Sequence, residues 1–526
     1  MDAAGFRPPR LGIGLVYFQE LHPVYEQLDE LINVVEVEPQ TLWHRGPAGG
    51  PHCIDRAAYD RLAPLRQPKL LHGVGMPLVS PTPPDPRQIP AWQASIAELA
   101  PAWVSEHLAF MRARPLDPPD RRDATGRHLA PSPRDTHHAG FLLPPRQDAA
   151  TARAAARQIR LLQDLSGVPV AFEIAPNYLR PQPGEMPDGL FYAEVAEQAG
   201  CGILVDLHNL WCNERNGRGR VEDVLAALPP EQVWELHVAG GQALGTYWLD
   251  AHMGGAPQEV LDIAARWIGR FPYLGAIVFE VMPTAWLTDQ FDVARLHDQL
   301  TRLQTLWRRH APPAWPRPSG PPVQRSSVRP SPEAAAPDTP STWCDQLAAL
   351  VNRRLPPAPD ADRHLASDPG LDVYRRLIDS ARGSVIASEL TSSWRLMMLT
   401  LGPAATDALL QEFWLNVWPQ PFALDEMSAF AAQVHRWQDE GRLPIPHLRS
   451  VLDYEMARAR LQSPDSTDQT VIPVTFDTDP AVLLDALAQG RLPPSPLPPR
   501  HEGRHTLVLG RDKGTVTAAP GVTSAA

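Results

Sequence analysis

Eight short apolar runs, each stopping at a carboxylate, a histidine or another polar residue, recur through the first 285 or so residues of this chain: Gly12–Tyr17, Val34–Glu38, Lys69–Gly75, Trp103–Phe110, Pro169–Ala175, Gly202–Asn209, Val233–Gly240 and Ala276–Pro283. Between and after them lie segments of helical periodicity, Tyr25–Ile32, Tyr59–Arg66, Gln93–Leu99, Thr151–Leu165, Phe191–Ala199, Val221–Leu228, Gln258–Phe271 and Val293–Arg309. A strand buried on both faces reads as an unbroken apolar run, and right-handed crossover helices join such strands in parallel. Eight alternations close most simply as an α/β fold of the (β/α)8 TIM-barrel kind.

In such a barrel the C-terminal ends of the strands face the active site. Those ends supply His72, His107, Glu173, Asp206, His237 and Glu280, with Asn209 just beyond Asp206 and with Asp250 and His252 in the loop after the seventh run. Taken singly, His72 or His107 reads as a core histidine. Glu173, closing the run PVAF, is harder to explain that way, because a buried carboxylate without a cation or metal is strongly disfavoured. As a set, three or four imidazoles and as many carboxylates at one mouth suffice for more than one ion, with a carboxylate bridging. Ligation without thiolate suits Fe, Mn, Zn or Co. Zinc would fit hydrolysis or lyase chemistry, and iron with an open position would fit dioxygen activation. The residue pattern leaves both open. It also keeps an alternative: a zinc- or manganese-dependent sugar isomerase, or an endonuclease-IV-like phosphoesterase, on the same barrel.

Length bounds the organisation, since 526 residues suggest two or three domains. The net charge of −12 argues against nucleic acid as a partner. The N-terminal MDAAGFRPPR carries no apolar signal core, and no run approaches a membrane span, so no membrane association and a cytoplasmic location are expected. Cys53, Cys201, Cys212 and Cys344 lack CxxC spacing and indicate neither a zinc knuckle nor a disulfide framework.

The 60 prolines concentrate partly in residues 311–342, a Pro/Ser/Ala stretch unable to bury enough apolar surface to fold alone. The expected division is a barrel over 1–310, a linker over 311–342, a helical domain over 343–462, a small α+β appendage over 463–518 and a disordered tail over 519–526. In the helical domain Asp425 and Ser428 offer capping oxygens near one helix start and Gly441 a stop. In the appendage Thr470–Phe476 and His505–Ala519 read as strands, the latter turning at Arg511–Gly514, around a helix over Ala481–Leu487. A long insertion over Met111–Arg146, containing Arg121, Arg122, His128, His137 and His138, reads as a lid over the mouth.

The segments GIGLVY, HGVG, SEHLAF, FEIAPNYL, GILVDLHNLWCNERNG, ELHVAGG, LDAHMGGAP and VFEVMP, in that order over about residues 10–310, resemble the family long called domain of unknown function 692. That family comprises multinuclear non-haem iron enzymes that oxidatively modify cysteines of ribosomally made peptides, the MbnB-type and TglH-type enzymes among them. The resemblance implies a xylose-isomerase-like barrel holding two or three irons of mixed Fe(II)/Fe(III) state, with O2 as co-substrate and a cysteine-containing precursor peptide as partner. Motif by motif it implies His72, His107, Glu173, Asp206, Asn209, His237, Asp250, His252 and Glu280 as metal ligands, Glu173 as a bridge, and catalytic roles for Glu173 and Asp250. The chain departs from the family at His208, where Asn is usual, and after HGVG, where MPLVS replaces small residues and serine. His208 is thus an additional candidate ligand or hydrogen-bond donor. The helical segments DPGLDVYRRLIDSARGSVIASELTSSWRLM and HLRSVLDYEMARAR are distantly similar to the family's separate partner proteins, which recruit the peptide. Fused in cis, such a recruiter would act at high effective concentration.

Overall fold

Each apolar run contributes one strand to a closed parallel barrel: β1 (Gly12–Tyr17), β2 (Val34–Val37), β3 (Lys69–Gly73), β4 (Val104–His107), β5 (Val170–Glu173), β6 (Gly202–Asp206), β7 (Val233–Ala239) and β8 (Ala276–Glu280). The strands pair in sequence order and β1 closes the ring against β8. The computed structural model describes residues 6–46, 50–115, 136–287, 291–312, 340–354, 363–462, 471–492, 505–512 and 515–520. The first helix spans His22–Gln27, earlier than the expected Tyr25–Ile32, because Pro23 in its first turn is already set for helical geometry. Among the described residues no helix is long and apolar enough to cross a membrane.

Alternation of side chains along each strand divides the barrel into two environments. Val35, Val37, Leu71, Phe172, Ile203, Val205, Leu236 and Phe279 point outward into the main core beneath the helices. Val34, Leu70, Trp103, Ala171, Trp234 and Ala276 form a separate cluster that plugs the bottom of the barrel, with Phe6 edge-on to Trp234 at 4.9 Å. Two or four residues further along the same strands stand Glu36, His72, His107, Glu173 and Glu280. One inward face therefore carries apolar side chains below and polar ones above. Gly202 admits the Trp234 ring to this plug: a Cβ there would lie 2.1 Å from the indole.

The expected lid begins and ends as a hairpin, Phe110–Ala113 against His137–Leu143. Arg121, Arg122 and His128 lie outside the described residues. The hairpin packs against the C-terminal region rather than standing free. His137 stacks on Trp418 at 4.6 Å and 1°, and Gly140 (φ +91°) lies against Ile378 and Pro419.

That region contains long helices over Pro340–Val351, Gly370–Glu389, Thr391–Leu401, Pro403–Asn416, Ala423–Asp439 and Leu448–Gln462. Its antiparallel sheet has His505–Asp512 between Val471–Phe476 and Thr515–Pro520. The last strand runs on to Pro520, into the stretch expected to be a tail, and Val474, Phe476, Leu483, Leu487 and Leu509 share one core with Phe430, Trp437 and Leu452. The α+β segment is thus packed into the helical region. Asp425 and Ser428 are not caps: the helix starts earlier, at Ala423, leaving both inside it. Ser428 donates back to the Leu424 carbonyl at 2.7 Å, and Asp425 takes Arg45 of the barrel in a bidentate pair. Gly441 (φ +71°) follows the end of that helix, in the left-handed conformation a stop requires.

Barrel and helical region meet through a shared apolar cluster that includes Phe110, Leu143 and Tyr178 on one side and Trp343, Leu371, Tyr374 and Ile378 on the other. Asp345 accepts the backbone N–H of Arg114 at 2.6 Å and its guanidinium at 2.8 and 3.0 Å. Backbone meets backbone at Gly370, where a Cβ would stand 2.2 Å from the Tyr178 carbonyl oxygen.

Gly202→Ala should overpack the plug and destabilise the protein by about 2 kcal/mol, with partial recovery in Gly202→Ala/Trp234→Leu, as measured by urea denaturation.

Candidate metal centre

Local folding positions each polar side chain at the mouth. Asp206 ends β6 and caps the helix Leu207–Arg215, its Oδ1 accepting the N–H groups of His208 and Asn209 at 2.7 and 2.9 Å. The cap uses one oxygen; Oδ2 is buried with no hydrogen-bond partner. Asn209, one helical turn on, donates through Nδ2 to Glu173 Oε1 (3.2 Å) and to the Ile174 carbonyl (3.3 Å), leaving its own Oδ1 unpartnered. Glu173 Oε2 lies 3.0 Å from His72 Nε2 and 2.9 Å from His107 Nε2. The far sides of both rings are engaged, His72 Nδ1 with Ser105 Oγ at 2.8 Å and His107 Nδ1 with the Gly73 carbonyl at 3.1 Å. For His107 that contact places the proton on Nδ1 and turns the Nε2 lone pair toward Glu173.

A second group lies across the barrel. His237 Nδ1 is 3.1 Å from Glu280 Oε1, and its Nε2 is 3.1 Å from Glu36 Oε1. His252, held in a left-handed backbone conformation (φ +49°), brings Nε2 to 3.0 Å from Asp250 Oδ2 and 3.2 Å from Glu280 Oε2. Four sets of ligand atoms are close enough to hold an ion: His72/His107/Glu173, Glu36/His237/Glu280, Glu173/Asp206/His237 and Asp206/His252/Glu280.

Glu173 Oε2, Asp206 Oδ2, His237 Nδ1, His252 Nε2 and Asn209 Oδ1 are buried and lack any hydrogen-bonding geometry, although most have a polar atom about 3 Å away. Lone pairs converging on a common point without donating to one another are what a cation requires and a hydrogen-bond network does not. The residues therefore fit a metal.

Electrostatics agree with that reading. Burial would raise Glu173, but His107 and His72 outweigh it and hold its carboxyl well below the usual range. Burial, reinforced by Asp250, Glu280 and Glu173, drives Asp206 well above its ordinary value. Burial pushes Glu36 up to about 7 against the pull of His237. Neighbouring carboxylates that cannot all ionise together are a standing demand for added positive charge.

Of the residues expected from sequence, His72, His107, Glu173, Asp206, His237, His252 and Glu280 fall within these sets. Asn209 and Asp250 border them through Glu173 and His252. His208 faces away from them: its Nε2 accepts the Trp248 indole N–H at 3.1 Å, so the proton on Nδ1 is donated to Asp250 Oδ1 at 3.0 Å. It is a donor to Asp250, with no nitrogen left for a metal. Glu36 was missed. Its signal was available, since a two-residue period counted from inward Val34 puts Glu36 on the inner face of β2, with Glu38 beyond the strand end on the same side. Cys212, beside His208, has its thiol pushed up by burial and stays protonated.

A sequence profile for the RiPP precursor modification enzymes MbnB/TglH/ChrH matches residues 11–283. A UPF0276 protein of Anaeromyxobacter sp. is 29% identical over 211 residues, covering 40% of this chain and 67% of that protein. A UPF0276 protein of Chromobacterium violaceum is 31% identical over 223 residues, covering 42% and 73%. Among solved structures, the D-psicose 3-epimerase of Clostridium cellulolyticum H10 with D-tagatose aligns at a TM-score of 0.35 with 11% identity, covering 57% of this chain and 99% of that one.

Asn209→Ala should lower metal affinity roughly 10- to 100-fold by freeing Glu173, and Glu173→Gln at least as much, in chelator competition followed by elemental analysis. Stripping metal from the wild type should lower its melting temperature, and Glu173→Gln should shrink that difference.

Proposed function

The chain belongs to the family of RiPP precursor modification enzymes MbnB/TglH/ChrH, and from that premise we propose that it is an O2-dependent multinuclear non-haem iron enzyme that oxidises a cysteine of a ribosomally synthesised precursor peptide. The observation that carries this reading is the sharing of ligands: Glu173, Asp206, His237 and Glu280 each belong to two of the four candidate sets. Shared carboxylates are the natural bridges between neighbouring ions, and a site built for a single ion has no use for them.

Iron bound there would supply the redox chemistry with O2 and take the substrate sulfur as thiolate, lowering its pKa. Asn209 keeps Glu173 turned toward His72 and His107. Asp250 is fixed from behind by His208 and by its own N–H, which donates to the Tyr178 hydroxyl at 3.1 Å. Asp250 Oδ2 and His252 Nε2 face each other at the edge of the mouth, where His252 is partly exposed. The apolar plug of Trp103 and Trp234 closes the opposite end, so substrate enters from the mouth alone.

The helical region is proposed to present the peptide in cis. It is anchored on the loops that leave the barrel mouth: Tyr374 accepts the Tyr178 N–H at 3.3 Å, and Asp368 accepts the Arg180 N–H at 3.0 Å. A peptide carried by this region would arrive with its reactive residue already near the ligands, which replaces a second encounter by a local search.

Anaerobically purified protein should contain two or three irons per chain, part ferrous and part ferric by Mössbauer spectroscopy, and should consume O2 with a cysteine-containing precursor peptide but not with its Cys→Ser variant. Stoichiometric zinc or manganese after iron-rich expression would sink the proposal. Gly370→Val, which separates helix and barrel backbones, should leave iron content unchanged while raising KM for the peptide about tenfold or more, measured by O2 uptake.

A further inference from the structure

A cavity of about 460 Å³ opens where three parts of the molecule meet: the loop that leaves His72, the hairpin, and the turn before helix Ala423–Asp439. Its walls are apolar, with Trp43, Met76 and Phe141 from the barrel side and Phe422 from the helical region. Hydrogen bonds through Glu106 link its floor to the backbone of the candidate ligand His107. Met76 donates its N–H to Glu106 Oε2 at 2.8 Å, and Glu106 Oε1 accepts the N–H of His107.

Three polar groups in this lining have unmet capacity. Gln88 is 7% exposed, and its Oε1 is buried without a partner. Gln40 spends its Oε1 on the Val74 N–H at 3.3 Å and leaves Nε2 unpartnered. Both face Gly75, where a Cβ would come within 3.1 Å of Gln40 Cγ and Gln88 Oε1, so the glycine keeps this floor open. An unpaired donor beside an unpaired acceptor is the complement of a peptide group, which offers one C=O and one N–H.

The third group is Arg112. Among the described residues its nearest carboxylate, Asp85, is 3.8 Å away, beyond hydrogen-bond length, and Arg87 already claims that carboxylate through contacts of 2.6 and 3.1 Å. His138 alongside is held neutral, pushed down to about 4 by burial and then by Arg112. Arg87 cancels Asp85. Among the described residues the guanidinium of Arg112 is thus left without a carboxylate of its own, in a largely apolar space where one would pair with it strongly.

We propose that this cavity is a subsite for a carboxylate-bearing segment of the peptide substrate, the carboxylate pairing with Arg112 and one peptide group bridging Gln40 Nε2 and Gln88 Oε1. This rests on the peptide-modification reading above and adds to it the part of the substrate recognised away from the metal. Because Phe422 closes one wall, the subsite is complete only with the helical region docked. The Arg45–Asp425 pair, with the Arg45 guanidinium 4.7 Å from the Phe422 ring centre, fixes that wall.

Calorimetric titration of the metal-loaded full chain with three tetrapeptides tests this: N-acetyl-Ala-Glu-Leu-Ala-amide, N-acetyl-Ala-Gln-Leu-Ala with a free carboxyl end, and N-acetyl-Ala-Gln-Leu-Ala-amide. At least one acidic peptide should bind roughly tenfold more tightly than the neutral one, and which one does so identifies a side chain or a chain end as the source of the carboxylate. Arg112→Gln should abolish that preference with metal content unchanged, and Arg112→Lys should keep part of it. Gln88→Leu should weaken the preferred peptide about fivefold, and it decides the matter if the Arg112 variants fail to fold. Equal binding of the three peptides, binding of none, or a preference that survives Arg112→Gln would overturn the subsite. In protein that holds iron and oxidises a precursor, such a result removes the subsite alone, whereas tight acidic-peptide binding without iron removes the oxidase reading alone.

Discussion

Carboxylates and imidazoles crowd one largely buried mouth, and the rest of the molecule is arranged around that concentration of charge. Glu36, Glu173, Asp206, Asp250 and Glu280 cannot all ionise side by side while so largely buried. Without added cations the cluster divides the burden unequally: burial lifts Glu36 and Asp206, while the imidazoles beside Glu173 hold it low despite its burial. Positive ions among them would let every carboxylate ionise at once. The polar layer is therefore a site whose stability and occupancy are one problem, and the apolar plug below it keeps that problem at one end of the barrel.

The helical region enters the same arrangement through short links. Tyr374 of that region accepts the N–H of Tyr178, and the Tyr178 hydroxyl accepts the N–H of Asp250. Two hydrogen bonds and one tyrosine thus separate a helix of the C-terminal region from a carboxylate at the metal mouth. The contact is close because Gly370 lets the helix start against the loop backbone. Docking is accordingly part of how the mouth is shaped, and the cavity beside it is walled by both regions.

The barrel was legible because a strand buried on both faces leaves an unmistakable run, and seven of the candidate ligands because they end such runs or follow them closely. Glu36 was hidden by its position inside a run that continues to Glu38: the two-residue period counted from Val34 gives both carboxylates the same facing, and Glu36 stands one step deeper than the strand ends that supply the other ligands. Which of its two expected roles His208 takes, ligand or donor, was not legible, since that depends on Trp248, forty residues away and brought beside it by the loop after β7. Asp425 shows the same limit. Near a helix start it looked like a cap, and its partner, Arg45, is set by the docking of two regions across 380 residues.

His208 is the residue read from sequence as a departure from the family pattern, and its surroundings show what the ring does here. A ring with one nitrogen accepting from Trp248 and the other donating to Asp250 is fixed in a single orientation. Trp248 is itself held, by Asn216 on its backbone and by the Arg215 guanidinium 5.0 Å from its ring centre. The rigid chain from Trp248 through His208 occupies Asp250 Oδ1 and leaves Oδ2 to His252. A carboxamide at this position could make one of these bonds on either side but has no ring to resist rotation. His208 therefore acts on orientation: it settles which Asp250 oxygen is left to face His252.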